Sequence, residues 1–297
     1  MIPESKTLAP LRKQTTISQS VSVSGYGFWS GQDIELKFQP ASANSGIVFV
    51  RTDLPGHPRI PAIIQNRING PRRTTLVAEG CPVEMVEHVL AALAGLNIDN
   101  CEIHVNRAEM PGDDGSSKAF SDALNQTEVI ELDAERETIR VTSTTRVGDE
   151  NSWIQAEPVE QDQYELAYHL EYACPSIGTQ TYQTHVTPEI FATEIAPART
   201  FVLLEEAQEL QKKGLGQRVR YQDILVFGPQ GPIDNQVRFE NECARHKLLD
   251  MIGDFSLSGF DLIGKFTASR SGHRLNSQLV FALLQQIGHT NSIRKSA

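Results

Sequence analysis

Two stretches of this chain are apolar on nearly every side and yet carry ionisable groups, and nothing else in the sequence limits the fold as strongly. The first is Val86-Glu87-His88-Val89-Leu90-Ala91-Ala92-Leu93 and the second is His246-Lys247-Leu248-Leu249-Asp250-Met251-Ile252-Gly253-Asp254. Read at the helical period, they predict helices over residues 83–96 and 242–258. A helix this apolar is buried, so each has to be enclosed by other layers. Buried carboxylates and imidazoles are costly unless they are paired or bind an ion. Something must therefore meet the charges these helices carry.

Alternating segments predict the enclosing layers. In the first half, residues 15–23, 33–38, 46–51 and 101–106 read as strands, and 119–124 as a short helix. The second half repeats the order. Strands fit 138–147, 152–157, 164–172 and 262–269, and helices fit 188–193, 204–213 and 275–286. Strands first and a strong helix later, in both halves, predict an α+β chain of two similar domains. With 297 residues, two cores of about 130–150 residues each suit the length better than one. The acidic, polar run 125–137 places the boundary, giving domains 1–128 and 129–297. Residues 215–234, rich in Gly, Pro and charge, read as an insert or mobile flap, a common home for substrate contacts.

A net charge of −10 argues against a nucleic-acid partner. Arg218 with Arg220, and Arg270 with Arg274, are local basic pairs that an anionic ligand could use, although solvated surface explains them as well. No run approaches the roughly 20 apolar residues of a membrane span. The first 13 residues lack the apolar core of a signal peptide. Four scattered cysteines without a Cys-x-x-Cys pair suit a reducing cytoplasm.

His246, Asp250 and Asp254 fall one turn apart on a single helix face. Imidazole and carboxylate at that spacing suit zinc, and a metal would offset their burial. A partly exposed helix with a simple His–Asp contact has the same spacing. A zinc site also needs a third ligand from elsewhere. His57 lies in a Pro-Gly loop, His104, His169 and His185 lie in or near strands, and His289 is near the C-terminus. His88 stands out, inside an apolar helix and directly after Glu87. Glu87 is then a candidate general base for a water on the metal. A buried His–Glu pair at a helix end explains the segment equally well. His273, in Ser271-Gly272-His273 between a strand and the last helix, is a candidate cationic acid oriented by Asp254. A helix-start histidine without a role is the alternative. The glycine-rich run 25–31 lacks the Lys-Ser/Thr ending of a phosphate loop and reads as a hairpin turn near the site. Asp113-Asp114-Gly115-Ser116 lacks a calcium loop and reads as a helix N-cap.

In order and spacing, these segments resemble the UDP-3-O-acyl-N-acetylglucosamine deacetylase family over about residues 15–286. The matching pieces are residues 25–31, Ser45-Gly46 through Arg51-Thr52-Asp53-Leu54, and Val86-Glu87-His88 through Asp99-Asn100. They continue with Asp114-Gly115-Ser116, Ala198-Arg199-Thr200-Phe201, Arg245-His246-Lys247 through Gly253-Asp254, and Ser271-Gly272-His273 with Leu275-Asn276. The resemblance implies zinc-dependent hydrolysis of the N-acetyl amide of UDP-3-O-acyl-N-acetylglucosamine, the committed step of lipid A biosynthesis; the expected enzyme is a cytoplasmic monomer. His88, His246 and Asp250 would hold Zn2+, and Glu87 would be the general base. Thr200 and Lys247 would help stabilise the developing oxyanion. His273, oriented by Asp254, would be the acid. Phe201 would line the sugar or acyl region, Arg270 would grip the diphosphate, and Tyr172 would meet the uridine. The implied fold is two similar α+β domains, each a mixed or antiparallel sheet, with helices packed between them. The acyl chain would pass an insert at 191–200. Trp29 departs from a family histidine, Gly112-Asp113 replaces an apolar pair, and 216–223 lacks the usual small-residue loop. Those departures leave room for a paralogous zinc amidohydrolase acting on another acylated amino sugar. A non-catalytic binding relative is a third reading, against which Glu87 and His273 count.

Overall fold

The computed structural model describes residues 12–288. His289 and nearly all of the N-terminal stretch read for a signal core lie outside them.

β1 (Lys13–Ile17) lies outside the sheet that the next strands build. β2 (Val21–Tyr26) and β3 (Asp33–Pro40) form one antiparallel hairpin, and β4 (Ile47–Arg51) and β5 (Arg59–Pro61) a second. A small sheet of β6 (Arg67–Ile68), β7 (Thr75–Ala78) and β8 (Cys81–Glu84) leads into α1 (Glu87–Gly95), β9 (Cys101–Val105) and α2 (Lys118–Leu124). β9 inserts between the hairpins, antiparallel to β3 and parallel to β4, so the sheet runs β2-β3-β9-β4-β5.

After β10 (Val129–Glu135) and β11 (Thr138–Arg140) the plan returns. β12 (Thr145–Gly148) pairs with β13 (Trp153–Glu157), and β14 (Tyr164–Glu171) with β15 (Thr179–His185). An insertion follows, made of the single turn α3 (Pro188–Ile190), β16 (Phe201–Leu203), α4 (Leu204–Lys212), β17 (Leu225–Gly228) and β18 (Gly231–Pro232). Then come α5 (Glu242–Ser256), β19 (Asp261–Ser269) and α6 (His273–Gln286). β19 sits where β9 sits in the first sheet, antiparallel to β13 and parallel to β14, in the order β12-β13-β19-β14-β15. The chain is thus α+β, with two mixed sheets of one plan.

Alternation makes the strands one-sided: Ile34, Leu36 and Phe38 of β3 turn inward and Asp33, Glu35 and Lys37 outward. The two apolar helices fill the interior. All of α1 except Ala94 is buried, and α1 packs directly on α5. A Cβ at Gly253 would lie 2.1 Å from the Glu87 carbonyl oxygen, so the helices cross in backbone contact and only glycine fits there.

Several expectations are corrected. Residues 15–23 break into β1 and β2 at a bend. The helix expected over 83–96 begins only at Glu87, because residues 81–84 pair with β7 and Met85 takes a left-handed φ of 58° that ends the strand. Residues 138–147 likewise divide into β11 and β12. The run 125–137, where the sequence places the boundary, holds β10, which pairs with β1. Within the expected flap 215–234, Leu225, Val226 and Phe227 form a buried strand parallel to β16. The helix expected at 188–193 is one turn running into a π-helical turn, Phe191–Ile195. Of the run 113–116, it is the Ser116 hydroxyl that meets the start of α2, accepting from the Lys118 N–H at 3.1 Å, while the Asp114 carboxylate accepts from the Ser116 N–H and pairs with Arg238 of the other half.

Candidate active site

The crossing of α1 and α5 sets Glu87 and His88, at the start of one helix, against the His246–Asp250–Asp254 face of the other. The His246 Nδ1–H donates to the Ala198 carbonyl at 3.0 Å, which leaves its Nε2 lone pair facing inward. The His246 and His88 Nε2 atoms stand 3.5 and 3.7 Å from the same Asp250 oxygen, Oδ1. Those distances are too long for hydrogen bonds. Coordinating atoms of all three residues lie within 4.8 Å of one another. The other Asp250 oxygen accepts from Lys247 Nζ at 2.8 Å.

Burial drives the His246 imidazole down to about 3, so it is neutral at ordinary pH. Burial also opposes the Asp250 anion, but the charge of Lys247 outweighs it and holds this carboxyl well below the usual range. Two imidazoles and an ionised carboxylate, converging on one point without a hydrogen bond from either ring to the carboxylate, fit a divalent cation. These three residues could hold a metal.

Beside them lies an acid–base group. Glu87 is 3% exposed, and burial raises its carboxyl against the pull of His273 and His88. His273 opens α6 and donates from Nδ1 to Asp254 at 2.8 Å, while its Nε2 lies 3.8 Å from Glu87 Oε1. Burial alone would lower the His273 imidazolium, but Asp254, through charge and hydrogen bond, raises it to about 9. Asp254 is fully buried and also accepts from Asn276 Nδ2 at 2.8 Å and from the Thr74 hydroxyl at 2.6 Å.

These groups open onto a cavity of about 630 Å³. Glu87, His88, Thr200, Phe201, His246, Lys247, Asp250, His273, Arg270 and Tyr172 all line it, whereas Asp254 stands behind the wall. Lys247 Nζ lies 5.5 Å from the Phe201 ring centroid, and Tyr172 packs edge-on against that ring at 5.4 Å. Arg270 is half exposed, 3.8 Å from Glu171. The apolar wall comes from Phe201, Val202, Leu210, Leu215, Val219 and Ile224. Of the stretch 191–200 expected to guide an acyl chain, Thr200 faces the cavity, while Phe191, Ile195, Ala196 and Ala198 are buried.

Loops from both halves meet across the mouth. Arg218 stacks over Tyr26 at 4.4 Å and donates to Gly31 O and Asp33. The Tyr26 hydroxyl donates to Asp223 Oδ2 at 2.7 Å, and Arg220 pairs with the same carboxylate. On the first-half side, Arg72 reaches Glu206 of α4 at 2.9 Å. Arg218 therefore joins the 25–31 turn to the second half, whereas Arg220 supports Asp223 and stays exposed at the cavity. Trp29 lines the cavity under the Arg73 guanidinium, 4.9 Å from its ring centroid. Thr74 and Arg72 escaped the sequence reading, because Arg72-Arg73-Thr74-Thr75 has neither an apolar setting nor a metal-ligand spacing to mark it.

A family model described as UDP-3-O-acyl N-acetylglycosamine deacetylase matches residues 14–285. Proteins named UDP-3-O-acyl-N-acetylglucosamine deacetylase from Brucella melitensis biotype 2, Brucella ovis and Brucella abortus strain S19 are each 36% identical to the chain over 273 residues. Those alignments cover 91% of this chain and 95% of each relative.

Proposed function

The chain belongs to the UDP-3-O-acyl N-acetylglycosamine deacetylase family, and from that premise we propose that it hydrolyses the N-acetyl amide of UDP-3-O-acyl-N-acetylglucosamine, with zinc held by His88, His246 and Asp250. The products are the free amine and acetate, and the step commits its substrate to lipid A biosynthesis. The observation that carries the reading is the convergence of three metal-ligand side chains and an acid–base pair on one cavity, in a chain of this family.

A zinc ion at that point would supply Lewis acidity, making water more acidic and polarising the amide carbonyl. The chain's own residues do the rest. Glu87 takes a proton from the attacking water as its oxygen adds to the carbonyl carbon. Lys247 and Thr200 donate toward the carbonyl oxygen as negative charge grows on it. His273, kept cationic by Asp254, gives a proton to the nitrogen as the C–N bond breaks. Acetate then leaves, and the amine stays on the sugar. Phe201 and the apolar wall take the acyl chain, while Tyr172 and Arg270 face the uridine and diphosphate.

No helix among the described residues is long and apolar enough to cross a membrane. Together with four unpaired cysteines, this supports action in the cytoplasm. We read the enzyme as a monomer whose two domains, 1–128 and 129–297, each contribute one wall of the site.

The test is acetate release from UDP-3-O-acyl-N-acetylglucosamine, alongside the same sugar nucleotide without its acyl chain. Turnover of the acylated compound is expected, with weaker activity on the other. Turnover of neither would end the substrate assignment. Purified protein should also contain about one zinc per chain.

A further inference from the structure

Glu87 and Asp254 sit on different helices, yet one small residue from a third element touches both. Thr74 immediately precedes β7 and is fully buried. Its backbone N–H donates to Glu87 Oε2 at 2.9 Å and its hydroxyl donates to Asp254 Oδ1 at 2.6 Å. The Thr74 carbonyl accepts from the Val86 N–H at 3.4 Å, which ties it to the chain just before Glu87. Asp254 Oδ2 meanwhile holds His273 and Asn276. His273 Nε2 lies 3.8 Å from Glu87 Oε1, within ion-pair range but beyond a hydrogen bond. The path Glu87–Thr74–Asp254–His273 is joined by three hydrogen bonds, and its two ends face each other as an ion pair. Thr74 is its one member without a titratable group.

We propose that Thr74 is a positioning residue that locks the base Glu87 and the Asp254–His273 pair into one fixed geometry. The inference rests on the deacetylase reading for the roles of Glu87 and His273, and on hydrogen-bond geometry for Thr74 itself. The two Thr74 donors act differently. The N–H belongs to the backbone and fixes the Glu87 carboxylate whatever side chain stands at 74. The hydroxyl is the adjustable part. A carboxylate offers only acceptors, so the Thr74 O–H has to point at Asp254. Asp254 is sealed from solvent, so water has no ready access to replace that donor. Without it Oδ1 goes unmet, the carboxylate plane is free to turn about its bond to His273, and the imidazole loses its fixed aim.

The experiment compares Thr74→Val, which removes the hydroxyl at nearly constant shape, with Thr74→Ser, which keeps it. Thr74→Val should lower kcat by about 10–100-fold, the usual cost of losing a supporting hydrogen bond behind a functional group. KM should move less than about threefold and zinc content should stay the same, because Thr74 touches neither the substrate nor a metal ligand. Thr74→Ser should recover nearly all of the lost kcat. Selective 15N-histidine labelling supplies a readout that needs no substrate. The downfield His273 Nδ1–H resonance should shift or broaden in Thr74→Val and stay in place in Thr74→Ser. Should Thr74→Val fail to fold, Thr74→Ala removes the same donor without placing a methyl against Asp254. Wild-type kcat and resonance in the hydroxyl-free variant would overturn the proposal. So would a Thr74→Ser enzyme as impaired as Thr74→Val, since packing would then be the cause. If the wild type releases no acetate, the deacetylase reading fails, and the resonance comparison still decides whether Thr74 positions His273.

Discussion

Two clusters of enclosed charge join the halves of this molecule, and they are built on opposite logic. At one end, Arg12 makes paired contacts to Asp99 at 2.6 and 2.8 Å and to Asp261 at 2.8 and 2.9 Å. Arg136 meets both carboxylates at 3.1 and 2.9 Å. Asp99 precedes β9 and Asp261 opens β19, so two arginines clamp the starts of the two equivalent central strands. Two cations face two anions and each carboxylate oxygen has a donor. At the α1–α5 crossing, by contrast, the Nε2 atoms of His88 and of a neutral His246 approach one oxygen of an ionised Asp250 at distances too long for hydrogen bonds. The first cluster is complete as it stands. The second could hold a cation, and that difference sets a structural knot apart from a candidate metal site.

Changes to the reactive cluster should break the comparison hardest. His246→Ala removes one of three ligands and should leave zinc below about a tenth of an equivalent by elemental analysis, with turnover gone. Retained zinc and activity would move the metal elsewhere. Glu87→Gln keeps an acceptor for the Thr74 N–H but cannot take a proton. It should retain zinc while kcat falls by roughly 10²–10⁴-fold. Near-normal turnover would remove Glu87 as the base.

Asp254→Asn tests what keeps His273 charged. The folded imidazolium is raised to about 9, so its cationic form prevails below that pH and is lost as pH rises through it. A bound divalent cation nearby draws the value down from there. Without the Asp254 charge, burial prevails and the pKa drops. The basic limb of kcat/KM should therefore move to lower pH in Asp254→Asn, with the loss larger at pH 8 than at pH 6. An unmoved limb would mean that His273 is not the group titrating there.

The same contrast explains what could be read from sequence. The reactive helices announced themselves, because His88, His246 and Asp250 lie in apolar surroundings that make any ionisable residue conspicuous. The sheet plan was legible from alternation in β3 and β9, and the strand-then-helix order appeared in both halves. The knot was not legible. Arg12, Asp99, Arg136 and Asp261 are ordinary polar residues in ordinary polar segments, 249 positions apart at the extremes, and nothing local marks them as partners. Thr74 was hidden for the same reason, since its importance comes from what α1 and α5 bring to it. The late start of α1 was missed because Cys81-Pro82-Val83-Glu84 continues the apolar pattern, and a backbone reversal at Met85 leaves no trace in periodicity.

Breaking the knot should cost stability and spare chemistry. Asp99→Asn keeps shape and leaves two guanidinium groups with one carboxylate between them. Asp99 is almost fully enclosed, with a side chain 4% exposed, so the loss should be about 3 kcal/mol. That lowers Tm by roughly 6–10 °C in a chain of this size. Zinc content and kcat should hold. A fall in kcat at temperatures where the variant is fully folded would mean that the knot also shapes the site.

The smallest effect is expected where charges pair without enclosure. Arg72 and Glu206 meet at 2.9 Å with side chains 46% and 40% exposed. In water such a pair contributes about 0–1 kcal/mol, so Glu206→Gln should leave Tm nearly unchanged. Its position makes it informative nonetheless. Both residues line the cavity mouth, one from each half, and a pair that weak can open during each substrate encounter. The wild-type KM should accordingly depend on ionic strength through this contact, because salt screens exposed charges at such a rim. Glu206→Gln should flatten that dependence while kcat stays the same. A salt dependence identical in the two proteins would reduce the pair to surface decoration and leave the loop contacts of Tyr26, Arg218 and Asp223 as the closure across the mouth.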